Sequence, residues 1–357
     1  MQSNSETGSE AELDRYRFDW GELPEITTGL PGTGGETRRE PEDFRVVEIP
    51  SYLPSGEGSH AYALVEKRGL ATLDVVKALQ DRGVPERAVG FAGRKDKHAV
   101  TRQWFSVREE YEEELHSLID VEGISILEKS RHTNKLGLGH LRANQFEIRV
   151  RNPVPEWERI SSAVLERIAS FGLPNYFGPQ RFGSFNDNAI EAVRLARGES
   201  RAGTRRSYRF YLSALQSHVF NHLVKARIER GLYGRVLTGD WAQRHDSGGM
   251  FVVEDGEVES PRAQRLEISA VLPLFGKKAR LSNEGAGELE RDVLEDSRLT
   301  WDDFKTLTGA RRVSRIIPWD VSLEATEDGY VVRFTLPKGS FATCLLRELL
   351  KDAGSTK

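Results

Sequence analysis

The chain ends on a strand and a helix that have nothing of their own to pack against. Residues 330–336 alternate as a strand, Pro337-Lys338-Gly339 makes a turn, and Ser340 N-caps a last helix using Leu345, Leu346, Leu349 and Leu350. One strand and one helix cannot enclose a core. They must join a sheet laid down much earlier in the chain. The segment after about Leu173 is then an insertion, which leaves a first domain that the C-terminus re-enters.

The earlier elements fit that topology. Residues 144–150 form a strand with Phe146, Ile148 and Val150 facing one way and Gln145, Glu147, Arg149 and Arg151 the other. Upstream, the patterning predicts strands over 42–49 and 60–66, then a helix over 72–82 with Thr72 as its N-cap and Gly83 closing it. A short strand over 89–92 and another over 102–107 flank a polar turn. A helix over 156–171 precedes the insertion. Inside the insertion, 173–183 (LPNYFGPQRFG) has no period, 213–230 is a long helix, 250–257 suggests a hairpin around Asp255-Gly256, and 280–297 is polar and expected at the periphery.

Composition excludes some classes of function. No window approaches the ~18 consecutive apolar residues of a membrane span. Cys344 is the sole cysteine, so no internal disulfide and no cysteine zinc site can form, and a reducing cytoplasm fits. Residues 1–20 begin polar and acidic without a basic start or apolar centre, so they read as a disordered tail rather than a signal peptide. The net charge of -4 argues mildly against nucleic acid, but the charge is segregated. Basic residues gather over 127–152 and over 194–209, where six arginines face one glutamate. A solvated face is the ordinary meaning of one such run. Two of them in an acidic chain make a polyanion partner plausible.

The polar turn carries the chemistry. In FAGRKDKHAVTRQWFSV (91–107), Asp96 sits among Arg94, Lys95, Lys97 and His98, with Gly93 to let the chain turn sharply before it. A lone acid on a turn usually bonds its own backbone. Cationic neighbours favour its carboxylate form, and an ionised carboxylate raised into a cleft is a nucleophile or a general base. No second acid lies beside it, which argues against two-carboxylate glycoside hydrolysis. Asn144, Phe44 and Phe341 have bland roles open to them, in turn and core. Their sharper alternatives are an amide on a base edge and rings stacked on a base. Other candidates are weaker. LPGTGG (30–35) lacks the Gly-Lys-Ser/Thr ending of a phosphate loop, and His218 and His222 stand four apart with no glutamate after His218, which leaves an exposed or partly packed pair.

AGRKDKHAVTRQ (92–103), NYFGPQRFG (175–183) and LSALQSHVFN (212–221) resemble, in order, three signatures of the TruD family of tRNA pseudouridine synthases. PEDFRVVE (41–48), RHTNKLGLGHLRANQF (131–146) and LPKGSFAT (336–343) add to the likeness, which runs from about Gly32 to the C-terminus. The resemblance implies an α+β fold: a mixed, largely antiparallel pseudouridine-synthase sheet with helices, interrupted by an inserted α/β TRUD domain. It divides the chain into a tail (1–20), a catalytic domain (21–173 and 316–357) and the insertion (174–315). It implies an isomerase that converts uridine, at position 13 of tRNA, to pseudouridine in the cytoplasm without metal or cofactor; the oligomeric state stays open, with a monomer expected. It makes Asp96 the catalytic acid and Phe44, Asn144 and Phe341 the uridine contacts, and it calls for a basic partner for Asp96, with Arg38 and Lys95 as candidates. Whether the acid attacks C1′ or removes the 2′ proton stays open, as do an RNA-binding module without chemistry and a different RNA target.

Overall fold

A computed structural model of the chain describes residues 12–351. They form two compact units. One comprises Gly32–Glu158 and Pro318–Ala342; the other comprises the described residues up to Pro31, Arg159–Ile317 and the described residues from Thr343.

The first unit is an eight-stranded sheet. Its strands are β1 (Phe44–Pro50), β2 (His60–Arg68), β3 (Gly90–Phe91), β4 (Val100–Arg108), β5 (Ile124–His132), β6 (Leu141–Arg151) and the C-terminal hairpin Trp319–Thr326 and Gly329–Pro337. In space the hairpin comes first, followed by β6, β1, β4, β2 and β5, with β3 paired to β4. Only β1 and β4 run parallel, so the fold is α+β with a mixed, largely antiparallel sheet. The strand Gly329–Pro337 lies along β6, with Tyr330 opposite Val150 and Leu336 opposite Asn144. Tyr330, Val332, Phe334 and Leu336 are all fully buried there, so the C-terminal strand finds its core in the early sheet.

Register and alternation set Phe44, Val46 and Glu48 of β1 on one face with Phe146 and Asn144 of β6, Thr101 and Gln103 of β4, and Lys67 and Val65 of β2. That face is apolar at both ends. At one end the helix Thr72–Gln80 lays Val75, Val76 and Leu79 on Ala61, Ala63, Val65, Phe105 and Val107. At the other, Phe146 stands between Phe44 (ring centroids 6.1 Å, edge-on) and Phe334 (5.2 Å, stacked). Between the two ends runs a polar belt of Lys67, Thr101, Gln103, Glu48 and Asn144.

In the second unit the strand pair Leu173–Pro174 and Arg315–Ile316 forms an antiparallel ladder where the chain enters and leaves the insertion. Between these strands lie the helices Asn188–Arg197 and Arg205–Glu229 and a four-stranded sheet made of Ala310–Val313, Ile268–Leu274, Trp241–Arg244 and Met250–Val252. Two of the sequence signatures bind each other here. Asn221 accepts from the Phe177 amide (2.8 Å) and donates to the Phe177 carbonyl (2.9 Å), and Arg181 Nε donates to Ser217 Oγ (3.0 Å).

Several expectations change. Residues 1–11 of the expected tail lie outside the described residues. Residues 12–20 are not tail: Tyr16, Phe18 and Trp20 are buried, and Phe18 stacks on Phe182 at 4.4 Å. Three aromatics at alternate positions supply enough apolar area to anchor a polar segment. The long helix starts at Arg205, capped by Thr204 Oγ1, not near Ser213; its first turns are solvent-facing and show no apolar period. Asp255-Gly256 is not a hairpin turn. Asp255 accepts from Glu257 and Val258 N–H and caps the helix Gly256–Gln264, and a Cβ on Gly256 would meet Thr238 N and Val236 O at 2.8 Å. The polar stretch 280–297 holds the helix Glu284–Asp296, which buries Ala286, Leu289, Val293 and Leu294. His218 is buried rather than exposed, and its ring lies 4.2 Å from that of His222. The last helix is Ala342–Leu350, starting just past Ser340.

Phe146→Ala should remove the ring that joins Phe44 to Phe334. It should lower unfolding stability by about 3–5 kcal/mol, read by denaturant titration.

Candidate active site

Asp96 stands on the loop 92–99 between β3 and β4. The loop is tied from below at several points. The Lys95 amide donates to Thr72 Oγ1 (2.8 Å), Thr72 Oγ1 donates to Gln103 Oε1 (2.7 Å), and Gln103 Nε2 donates to the Gly93 carbonyl (3.0 Å). Thr72 was expected to cap its helix. It opens the first turn instead and spends its hydroxyl on this loop, while Asp74 takes the Ala71 amide (2.8 Å). Gly93 does not use a left-handed conformation, so the turn owes nothing to its backbone freedom. What Gly93 contributes is its carbonyl, on Gln103. Lys95 Nζ donates to Glu48 Oε2 at 2.6 Å, with both side chains shut away from water. Lys67, wholly buried, donates from Nζ to the carbonyls of Leu70 and Asp96, the latter at 3.4 Å.

With the backbone pinned, the Asp96 side chain is left about a third exposed, and Arg38 Nη2 lies 3.5 Å from its Oδ2. Arg38 has φ +61°, a left-handed conformation that costs a side-chain-bearing residue about 1–2 kcal/mol. Its guanidinium carbon lies over the Phe44 ring, 4.0 Å from the centroid. Burial pushes the Arg38 pKa down, and the Asp96 carboxylate pushes it back up; a guanidinium stays charged through such changes. Of the two candidate partners for Asp96, then, Arg38 is the one at its carboxylate. Lys95 is not: its ammonium is committed to Glu48.

Phe44 is almost wholly buried, with Arg38 above it and Phe146 edge-on to it, so its ring is a platform for the arginine. Asn144 pairs with Glu48 across β1 and β6. Asn144 Oδ1 and Glu48 Oε1 are buried, and among the described residues neither has a hydrogen-bond partner. Phe341, half-buried, follows the strand whose Leu336 pairs with Asn144, just before the last helix. The structure therefore links Arg38, Phe44 and Asp96 directly, and sets Lys95, Glu48 and Asn144 beside them on one sheet face.

Sequence reasoning missed Glu48, Lys67, Thr72 and Gln103. A usable signal was present for two of them. Phe44, Val46, Glu48 and Ala61, Ala63, Val65, Lys67 are runs in which a charge takes the inward phase of a strand. Charges there are costly unless paired or hydrogen-bonded, so they mark built polar sites.

The basic segments also divide. Within 127–152, Arg131 pairs with Glu112, Arg149 with Asp328, and Arg151 with Asp43 (2.8 Å) and Asp328 (2.5 Å). Within 194–209, Arg197 pairs with Glu12, whereas Arg201, Arg205, Arg206 and Arg209 are exposed and carry no ion pair among the described residues. The first turn of the helix Arg205–Glu229 contains no acid, and Phe210 is exposed beside it.

The family model described as tRNA pseudouridine synthase D (TruD) matches residues 23–201 and 199–349. Similar curated proteins include a tRNA pseudouridine synthase D of Thermus thermophilus, 47% identical over 333 residues and covering 92% of each chain. One from Anaeromyxobacter dehalogenans is 44% identical over 341 residues, covering 92% of this chain and 97% of that one. Among solved structures, a candidate tRNA pseudouridine synthase D from Methanosarcina mazei aligns with a TM-score of 0.73 at 23% identity, covering 94% of this chain and 98% of the other. At that identity the likeness concerns the fold.

Proposed function

The chain belongs to the tRNA pseudouridine synthase D (TruD) family, and from that premise we propose that it isomerises uridine in tRNA, at position 13, to pseudouridine, with Asp96 as the acid at the ribose. The observation that carries the assignment is the Asp96 carboxylate, raised on a pinned loop and met by the Arg38 guanidinium at 3.5 Å. The reaction breaks the C1′–N1 bond, turns the uracil, joins C5 to C1′, releases the C5 proton and returns a proton to N1. Asp96 either attacks C1′ or takes the 2′ proton; both need an ionised carboxylate at the sugar. Arg38 stabilises that form.

Asn144 suits the uracil edge. Its Oδ1, buried and without a partner among the described residues, would accept N3–H, and its amide N–H would donate to a uracil carbonyl. Phe341 is the ring we assign to stacking on the uracil. Phe44 acts one step back, by holding Arg38. A uridine inside a helix must be turned out of its stack to reach this site. We assign phosphate contacts to Arg201, Arg205, Arg206 and Arg209 of the second unit, which lack acidic partners among the described residues. The same reading places the enzyme with its tRNA substrate in the cytoplasm. Among the described residues no helix is long and apolar enough to cross a membrane.

Release of tritium from [5-³H]uridine-labelled tRNA should follow the wild-type enzyme and fall by about 10³-fold or more in Asp96→Asn. Wild-type turnover in that variant would sink the assignment. Arg205, Arg206 and Arg209 changed together to glutamine should weaken tRNA binding across sequences. The slope of log affinity against log salt should flatten by about 2–3, since each lost phosphate contact removes roughly 0.7–0.9.

A further inference from the structure

We propose that Lys67 is the positioning residue of the Asp96 loop: its buried ammonium holds the Asp96 backbone where the carboxylate meets Arg38. The proposal rests on the reading of Asp96 as the reacting acid.

Lys67 lies at the inward phase of β2, after Ala61, Ala63 and Val65, and none of it reaches solvent. A lysine at the end of a strand would ordinarily carry its ammonium out to water along a flexible stem. This one turns it inward, onto two backbone carbonyls. One is Leu70 O, in the connection that starts the helix Thr72–Gln80; the other is Asp96 O, at 3.4 Å on the loop. The same helix start holds the loop a second time, through Thr72 Oγ1 and the Lys95 amide. Lys67 thus bridges the strand, the helix start and the residue that carries the carboxylate.

Three charged groups face the ammonium. Lys95, on the loop, repels it, with its own charge turned to Glu48 of β1. Asp96, on the loop, and Asp74, on the helix, attract it. Burial first and Lys95 second bring the Lys67 pKa down from 10.5 to about 8, against the pull of the two carboxylates. The lysine can therefore lose its charge within the range over which an enzyme is assayed. Loss of charge weakens the donor to Asp96 O and removes a cation from beneath the carboxylate. Stability moves the other way. The folded pKa is depressed, so the unfolded chain binds the extra proton, and between about pH 8 and 10.5 this group's contribution to stability rises with pH. A fall in activity over that window, with stability held or gained, separates loop positioning from alkaline unfolding.

The test uses full-length enzyme with tRNA, plus selective ¹⁵N-lysine labelling, which places reporter amides at Lys95 and Lys97 on either side of Asp96. In the wild type, both amides should titrate near pH 8 and kcat should fall through the same range. Lys67→Arg, which keeps its charge, should move the alkaline limb up by more than one pH unit. Lys67→Met should lower kcat by about 10–100-fold, as a small misplacement of a reacting group does, with KM for tRNA changed less than about threefold and no titration at the two amides. If Lys67→Met does not fold, Lys67→Gln takes its place in both measurements. Lys95 and Lys97 amides that do not titrate in the wild type, or an alkaline limb that Lys67→Arg leaves in place, would overturn the proposal. Asp96→Asn separates the two readings. Its amides should still titrate, at lower pH because an attracting carboxylate is gone. Turnover retained in Asp96→Asn would defeat the catalytic reading alone.

Discussion

The ion pair between Glu48 and Lys95 sits at the centre of this architecture. Taking two charges out of water costs several kcal/mol each, and their attraction recovers that only with good geometry. An apolar pair of the same volume would hold a sheet and a loop together at least as well. It could not fix a loop whose neighbours on the sheet face are themselves polar. Lys95 closes on Glu48 at 2.6 Å, its amide on Thr72, and Gly93 on Gln103, so two neighbouring strands of the sheet and one helix start converge on a few residues of loop. The carboxylate beside them meets the Arg38 guanidinium and stays partly exposed. Rigidity below and exposure above are what a reacting group on a loop needs.

This belt explains why the sheet face is apolar at its ends and polar in its middle. The helix Thr72–Gln80 closes one end and the Phe44–Phe146–Phe334 stack the other. Each apolar end also serves the site. The helix offers Thr72 to the loop, and the stack offers the face of Phe44 to Arg38. A guanidinium held over an aromatic ring loses some of its freedom to swing. Arg38 thus meets Asp96 from above Phe44, with a left-handed backbone as part of the cost.

The sequence made the sheet legible because its central strands keep period-two alternation, and it exposed the return of the C-terminus because one strand and one helix cannot stand alone. It hid the elements whose burial does not follow a single period. The aromatic triplet Tyr16, Phe18, Trp20 lies in a run of charges; the helix Glu284–Asp296 buries four apolar residues behind many polar ones; and the first turns of the helix Arg205–Glu229 bury almost nothing. At the site, Asp96 was legible from its setting, whereas Glu48 and Lys67 were not, because a charge within a strand reads as a solvent-facing position unless its phase is followed. The signatures also mixed two meanings. Asn221 and Ser217 of one lock Phe177 and Arg181 of another, so these letters describe the packing of the second unit rather than the chemistry.

Charge is where net composition misleads most. The acids near the sheet are largely spent on its arginines: Asp43 and Asp328 on Arg151, Glu147 on Arg333, Glu66 on Arg102. Such pairs neutralise the local field. The arginines at 201, 205, 206 and 209 have no such partners among the described residues, and the helix they open presents its own unsatisfied N–H groups in the same direction. A chain with net charge -4 can therefore still present a local cluster of unpaired arginines that attracts a polyanion.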